Sequence, residues 1–245
     1  MATWMVHLRI ADKLLDCLEG IAQTHFIVGN IAPDSGLPNA DWTAYTPDSR
    51  VSHFRINKDG QPKEINIQAF MDRYFREGQR QAYTLEEYSF FLGYLTHLLA
   101  DQEWAWRIYR PELERHLSAF QGNRDELNHA LKRDWYDLDF VYLKKHPDFR
   151  AFAIYEAAEG FVNSYMDIFD KNAFDDRRVY ITGFYRAGRE NLEREYPYLT
   201  EKEMDAFVEG CAEAVLQKLQ EEGLLHREGS GKKGSWVVLR QEDRK

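Results

Sequence analysis

Residues 88–104 read Tyr-Ser-Phe-Phe-Leu-Gly-Tyr-Leu-Thr-His-Leu-Leu-Ala-Asp-Gln-Glu-Trp, an apolar and aromatic run that contains His97 and Asp101. In an α-helix, positions four apart lie one above the other on the same face. Apolar residues nearly surround this helix, which predicts that it is buried. A buried imidazole and a buried carboxylate are costly unless they pair, form hydrogen bonds or bind a metal. Three interpretations therefore stand open: a structural pair, a catalytic pair, or two ligands of one metal ion.

The composition is that of a globular protein, with 44% hydrophobic and 14% aromatic residues in a chain of 245. The 32 Lys and Arg residues against 41 Asp and Glu residues give a net charge of −9. This balance disfavours nucleic acid or an anionic membrane surface as the main partner, because both are bound through basic patches. Cys17 and Cys211 fit neither a disulfide framework nor a metal-binding Cys-x-x-Cys motif.

The beginning of the chain lacks the basic and apolar regions of a signal peptide. The sequence also contains no run of about 18 apolar residues, the length that crosses a bilayer. We therefore expect a cytoplasmic protein with no transmembrane segment.

Helical periodicity covers most of the chain. Thr84 and Glu87 predict a capping box at the start of the central helix, which is expected to stop before Pro111. Gly29-Asn30 reads as a helix-ending turn. The predicted helices cover residues 3–24, 66–79, 84–108, 111–121, 123–146, 149–169, 175–194 and 199–222.

Residues 36–65 read as a loop that is interrupted by prolines, glycines and asparagines. Its aromatic residues Trp42, Tyr45 and Phe54 are predicted to line the mouth of a pocket, and His53 lies between hydrophobic neighbours. Together these patterns predict an all-α fold with a single multi-helix domain over residues 1–225. A polar C-terminal tail over 226–245 is expected to form a short strand or to be disordered.

Among the eight histidines, only His97 is followed four positions later by an acidic residue. Imidazole nitrogen and carboxylate oxygen together suit zinc or another first-row divalent ion. His7, Asp34 and His53 are candidates for the remaining ligands, because each lies in an apolar context where an unpaired polar group needs a partner. The other histidines lie in polar or helix-end settings, and four of them are expected to be solvated: His25, His116, His146 and His226.

Four motifs, in this order, resemble the zinc-dependent phospholipase C family. They are Met-Val-His-Leu-Arg-Ile-Ala around His7, Gly-Asn-Ile-Ala-Pro-Asp ending at Asp34, Ser-His-Phe around His53, and Phe-Leu-Gly-Tyr-Leu-Thr-His-Leu-Leu-Ala-Asp ending at Asp101. The resemblance covers roughly residues 4–110. It implies an all-helical fold of the type shared with secreted zinc nucleases.

The resemblance implies that Asp34, His53, His97 and Asp101 are ligands of one zinc ion. It further implies that His7 binds a second, neighbouring zinc ion, which Asp101 would bridge. The implied activity is hydrolysis of a small-molecule phosphoester, in which metal-activated water attacks phosphorus. Asp34 is the candidate catalytic residue, as a general base.

The sequence departs from the family in two places. The N-terminal tryptophan that ligates zinc in that family is matched only by the internal Trp4, and the later His-x-x-x-Glu motif has no counterpart. Asp134, Asp137 and His129 are candidate substitutes for that motif, but their spacing does not match it, and Asp137 is expected to be an ordinary carboxylate on the helix face. Two alternatives to an enzyme stay open: a metal-binding domain that is not catalytic and acts through partners, and a structural His–Asp pair without metal.

Overall fold

The computed structural model describes residues 1–41, 43–56, 64–228 and 235–238, and it confirms the predicted all-α class, because helices dominate and the strands are short. The helices are α1 (Trp4–Leu15), α2 (Gln23–Ile31), α3 (Ser49–Ser52), α4 (Ile67–Tyr74), α5 (Glu77–Ala82), α6 (Leu85–Trp104), α7 (Arg110–His116), α8 (Arg124–Lys145), α9 (Arg150–Ala157), α10 (Ala173–Arg186) and α11 (Glu201–Glu221). The strands are β1 (Leu18–Glu19), β2 (Leu37–Pro38), β3 (Tyr45–Thr46), β4 (Arg55–Ile56), β5 (Glu64–Ile65), β6 (Leu225–Glu228) and β7 (Ser235–Val238).

Helix α6 is the buried centre of the fold. The predicted capping box is present: the Thr84 hydroxyl accepts from the Glu87 amide, and the Glu87 carboxylate accepts from the Thr84 amide. Every residue from 88 to 101 is buried, as the apolar pattern predicts. The helix does not stop before Pro111, because a π-helical turn over Ala105–Tyr109 continues it into α7. Pro111 lies in the first turn of α7, where its missing N–H costs no hydrogen bond.

Helix α2 packs against α6 at two facing glycines. A Cβ atom on Gly29 would lie 2.1 Å from the carbonyl oxygen of Phe90, and one on Gly93 would lie 2.1 Å from that of Phe26. The interpretation of Gly29-Asn30 as a helix-ending turn was therefore wrong. Helix α2 runs through both residues to Ile31, and Gly29 serves the close approach of two backbones.

The C-terminal end of α6 joins the later helices through Trp104. Its ring lies perpendicular to Trp135 on α8 and to Phe207 on α11, with ring centroids 5.1 Å and 5.0 Å away. Edge-to-face packing of this kind stabilises aromatic cores. The second half of the chain therefore closes the core that α6 begins.

The predicted helix over 3–24 ends at Leu15, and Leu18–Glu19 form a strand instead. That strand pairs in parallel with β7, which pairs antiparallel with β6, so a three-stranded sheet joins the start of the chain to the tail. Within the tail, Val238 is buried. Residues 229–234 and 239–245 of the tail lie outside the described residues, and the domain boundary at 225 stays a prediction.

Other predicted elements are shorter or more divided than the periodicity indicated. The helix over 66–79 is split into α4 and α5, and those over 149–169 and 175–194 end at Ala157 and Arg186. The loop over 36–65 contains two short antiparallel strand pairs, β2–β3 and β4–β5. Phe54 is partly buried and packs against Phe70 of the core, Tyr45 is exposed, and Trp42 lies outside the described residues, so the pocket mouth stays a prediction.

Candidate metal centre

The structure brings all the predicted ligands together beside α6. His7 comes from α1, Asp34 from the 3-10 turn that ends α2, and His53 from the residue after α3, while His97 and Asp101 come from α6 itself. Their ligand atoms form two overlapping groups, each within 4.8 Å: one holds His7, His97 and Asp101, and the other holds Asp34, His53 and His97. Segments far apart in sequence therefore meet at one buried point.

The group of Asp34, His53 and His97 has the spacing of a tetrahedral zinc site. His53 Nε2 lies 3.3 Å from Asp34 Oδ1 and 3.3 Å from His97 Nε2. Ligands about 2.0–2.1 Å from a tetrahedral ion lie about 3.4 Å from one another. Asp101 Oδ2 stands slightly farther away, 3.8 Å from His53 Nε2 and 3.9 Å from His97 Nε2. These residues fit a zinc ion without rearrangement of the backbone.

Several buried polar atoms in the centre have no hydrogen-bond partner among the described residues. Both ring nitrogens of His7 and Oδ2 of Asp101 are in this state. His7 Nε2 lies 3.4 Å from Asp101 Oδ1, and the His7 ring stacks on His97 with centroids 3.7 Å apart. Orphaned polar atoms are rare in protein interiors and require an explanation. Coordination of a cation is the explanation that suits imidazole nitrogen and carboxylate oxygen together.

Hydrogen bonds orient the two central imidazoles. His97 Nδ1 lies 2.7 Å from the carbonyl oxygen of Asn30. Because a carbonyl only accepts, Nδ1 carries the proton and Nε2 presents its lone pair to the site. His53 Nδ1 is 2.9 Å from the Ser52 hydroxyl, and the Ser52 carbonyl accepts from the Tyr94 hydroxyl. The sequence motifs did not indicate these supporting groups, although Ser52 directly precedes His53.

The electrostatics favour the metal-binding protonation states of His97, Asp34 and Asp101. Burial, together with the neighbouring His7, lowers the pKa of His97 to about 3, so its ring is neutral. Burial alone would raise the pKa of Asp34, but the hydrogen bond with His53 and the neighbouring imidazoles of His97 and His7 hold it below its ordinary value. Burial would raise the pKa of Asp101, but the amino group of Met1 and the close contact with His7 hold it well below its ordinary value. Neutral imidazoles and ionised carboxylates are the ligand forms that bind metal.

Residues 6–104 match the family model of zinc dependent phospholipase C. The predicted resemblance is therefore confirmed over a segment that contains every candidate ligand. This match supports a hydrolase of the zinc-dependent kind. No curated protein and no solved structure matches the chain.

The segment that matches the family model ends at Trp104, and the candidate substitutes for that family's later ligands have other partners. Arg194 Nη1 donates to Asp134 Oδ1 at 2.7 Å, and its Nε donates to Asp137 Oδ2 at 3.0 Å. Arg189 also pairs with Asp137, while His129 is exposed and its Nδ1 forms a hydrogen bond with the Asp125 carbonyl of its own helix. Because arginines occupy both carboxylates, they are not available to a metal ion.

A second His–carboxylate pair was not predicted, because its carboxylate precedes its histidine in the sequence. Glu112 precedes His116 by four positions, and His116 Nε2 lies 3.1 Å from Glu112 Oε2. The prediction that His116 is solvated was wrong: its ring also packs against Tyr198, and Glu112 is buried. In the part of the chain that the structure describes, this pair does not join a group of three metal-ligating side chains.

None of the helices among the described residues combines the length and the apolarity that a bilayer crossing requires.

Proposed function

We propose that the protein is a zinc-dependent hydrolase of phosphoesters, in which Asp34, His53 and His97 bind one zinc ion. The observation that carries this proposal is the ligand spacing of 3.3 Å around His53 Nε2, with the orphaned Oδ2 of Asp101 facing the same point. The family match over the same residues supports it.

Asp101 is the best candidate for a bridge to a second ion. Its Oδ2 faces His53 and His97, whereas its Oδ1 faces His7 at 3.4 Å. A neutral imidazole has one lone pair to donate, so His97 serves only one ion. His7 and Asp101 would therefore hold a second ion, although Asp101 Oδ1 also accepts a hydrogen bond from the Ala2 amide at 2.9 Å. Two protein ligands make a weaker site than three or four, so we propose one tight zinc site and one weak site.

Bound zinc supplies Lewis-acid polarisation of a phosphoryl oxygen and lowers the pKa of water. The protein residues orient the ligands and exclude bulk water. The hydrogen bond to Asn30 and the contact with Ser52 hold the imidazoles in place, while the buried aromatic surroundings of α6 limit access of bulk water. Asp34 is the most exposed of the proposed ligands, with 11% of its side chain accessible. Its lowered pKa makes it a weak proton acceptor, which favours the role of ligand over the predicted role of general base.

The test is zinc content together with hydrolysis of bis-p-nitrophenyl phosphate, measured on protein purified without chelator. The parent is expected to retain at least one equivalent of zinc and to hydrolyse the diester. His97→Ala removes a ligand shared by both groups, so zinc content should fall below half an equivalent and activity should be lost. His129→Ala, on the surface of α8, is the matched control and should leave both unchanged. A zinc-free parent would contradict the proposal and favour a structural His–Asp pair.

The replacement of the later family ligands favours a second candidate, a metal-binding domain that is not catalytic and acts through partners. The ion pairs of Asp134 and Asp137 with Arg194 are the observation behind it. A parent that retains zinc but hydrolyses neither the diester nor p-nitrophenyl phosphate would support this candidate. The cytoplasmic location and the small-molecule substrate stay predictions.

A further inference from the structure

Arg55 places a positive charge beside the metal centre, and the proposed set of metal ligands gives no role to this charge. Its Nη2 atom lies 3.9 Å from Asp101 Oδ2, and 15% of its side chain is accessible. Among the described residues, Asp101 is the one carboxylate within ion-pair distance, and the separation is too long for a hydrogen bond. A guanidinium has five N–H donors, and none of those of Arg55 forms a hydrogen bond to another described residue.

The backbone is bent to bring Arg55 and His53 to the same oxygen atom. Phe54, between them, has a φ of 51°, in the left-handed region that side chains other than glycine rarely adopt. The Phe54 ring packs perpendicular to Phe70 at 5.3 Å, which anchors the turn. As a result, His53 Nε2 and Arg55 Nη2 lie 3.8 Å and 3.9 Å from Asp101 Oδ2. Strain of this kind at a site is a reason to seek a function for it.

A guanidinium beside a cation site is repelled by the cation unless an anion lies between them. Asp101 does not neutralise both the guanidinium and the metal, because the proposed function assigns its oxygens to metal ions. An additional anion would remove the conflict. Planar guanidinium groups bind the oxygens of phosphoryl groups in a bidentate manner, and a partly accessible side chain can receive such a ligand.

We propose that Arg55 binds the non-bridging oxygens of the phosphoryl group, in the substrate and in the phosphate monoester product. This inference rests on the proposed function for the presence of the metal, and it adds an anion-binding residue that the set of ligands lacks. The competing role for Arg55 is structural, as a counter-charge that keeps Asp101 in place.

The experiment measures binding of inorganic phosphate by isothermal titration calorimetry, on the full chain loaded with zinc, with zinc content determined in parallel. Arg55→Met removes the charge but keeps the length, and it should weaken phosphate binding at least tenfold while zinc content stays that of the parent. Arg55→Lys keeps the charge but loses the planar fork, and its affinity should lie between the two. Arg50→Met is the matched control. Arg50 lies on the same segment but is paired at the surface with Asp48, so phosphate affinity should not change.

Unchanged phosphate affinity in Arg55→Met, or loss of zinc together with phosphate binding, would overturn the inference, the second outcome in favour of the structural role. Should Arg55→Met fail to fold, as judged by circular dichroism, Arg55→Lys decides: affinity equal to that of the parent would overturn the inference. A parent that binds phosphate through Arg55 but hydrolyses no phosphodiester would contradict the proposed function and leave this inference standing. A parent that hydrolyses the diester but binds phosphate without any dependence on Arg55 would support the proposed function and overturn this inference.

Discussion

The contact between α2 and α6 offers a stringent test of how the metal centre is held. In Gly93→Ala the added Cβ would lie 2.1 Å from the carbonyl oxygen of Phe26 and 2.9 Å from the amide nitrogen of Asn30. Both neighbours are backbone atoms of a helix, so neither can rotate away. Close carbon–oxygen contacts stay near 3.3 Å, so the two helices must separate by about 1 Å.

This separation has a cost in stability and a cost in metal binding. Overpacking of a tight core typically costs about 1–3 kcal/mol, and a clash with backbone belongs at the upper end, about 3 kcal/mol. For a chain of this size that corresponds to a fall in Tm of about 6–12 °C. The same movement stretches the 2.7 Å bond from His97 Nδ1 to the Asn30 carbonyl. Loss of such a supporting bond typically weakens metal affinity about 10- to 100-fold.

The assay is thermal unfolding with and without zinc, together with zinc affinity measured by competition with a chelating dye. Gly183→Ala is the matched control, because Gly183 lies inside α10 and a Cβ there meets no atom within 4 Å. That variant should gain about 0.5–1 kcal/mol from helix propensity and leave zinc affinity unchanged. A Gly93→Ala protein that melts with the parent and binds zinc equally well would refute the reasoning.

Two further variants test buried carboxylates away from the centre. Burial raises the pKa of Asp139 to about 7, although hydrogen bonds from Tyr185 and Thr3 oppose the rise. The folded protein therefore binds this proton more tightly than the unfolded chain, and the free energy of unfolding falls by about 3 kcal/mol as the pH rises from about 5 to 8. Asp139→Asn should remove this decline in urea unfolding measured at both pH values, and a decline as steep as the parent's would contradict the assignment. Arg194→Met leaves the buried Asp134 without its cation and should cost about 3–5 kcal/mol in the same assay. An exposed pair, broken by Arg186→Met, should cost under about 1 kcal/mol, and equal losses in the two variants would contradict the burial argument.

Local signals predicted local structure well. The predicted capping box at Thr84 is present, because a cap is an interaction within four residues and does not depend on distant parts of the chain. Local signals gave the wrong role for Gly29. A glycine is needed there because the carbonyl oxygen of Phe90, on another helix, leaves no room for a Cβ atom. Likewise, part of the helix expected over 3–24 forms strand β1 instead. This strand pairs with β7, which lies at the far end of the chain and which local signals cannot indicate.

By itself, the sequence determined that His97 and Asp101 share one face of a buried helix, because helical geometry alone sets the relation between positions four apart. The ordered motifs indicated which earlier residues complete the site. Only the tertiary structure decided that their ligand atoms stand at zinc-ligand spacing, that the Asn30 carbonyl orients His97, and that Arg55 reaches the same carboxylate as His53. These relations depend on packing between distant segments, and no local pattern in the chain encodes such a distance.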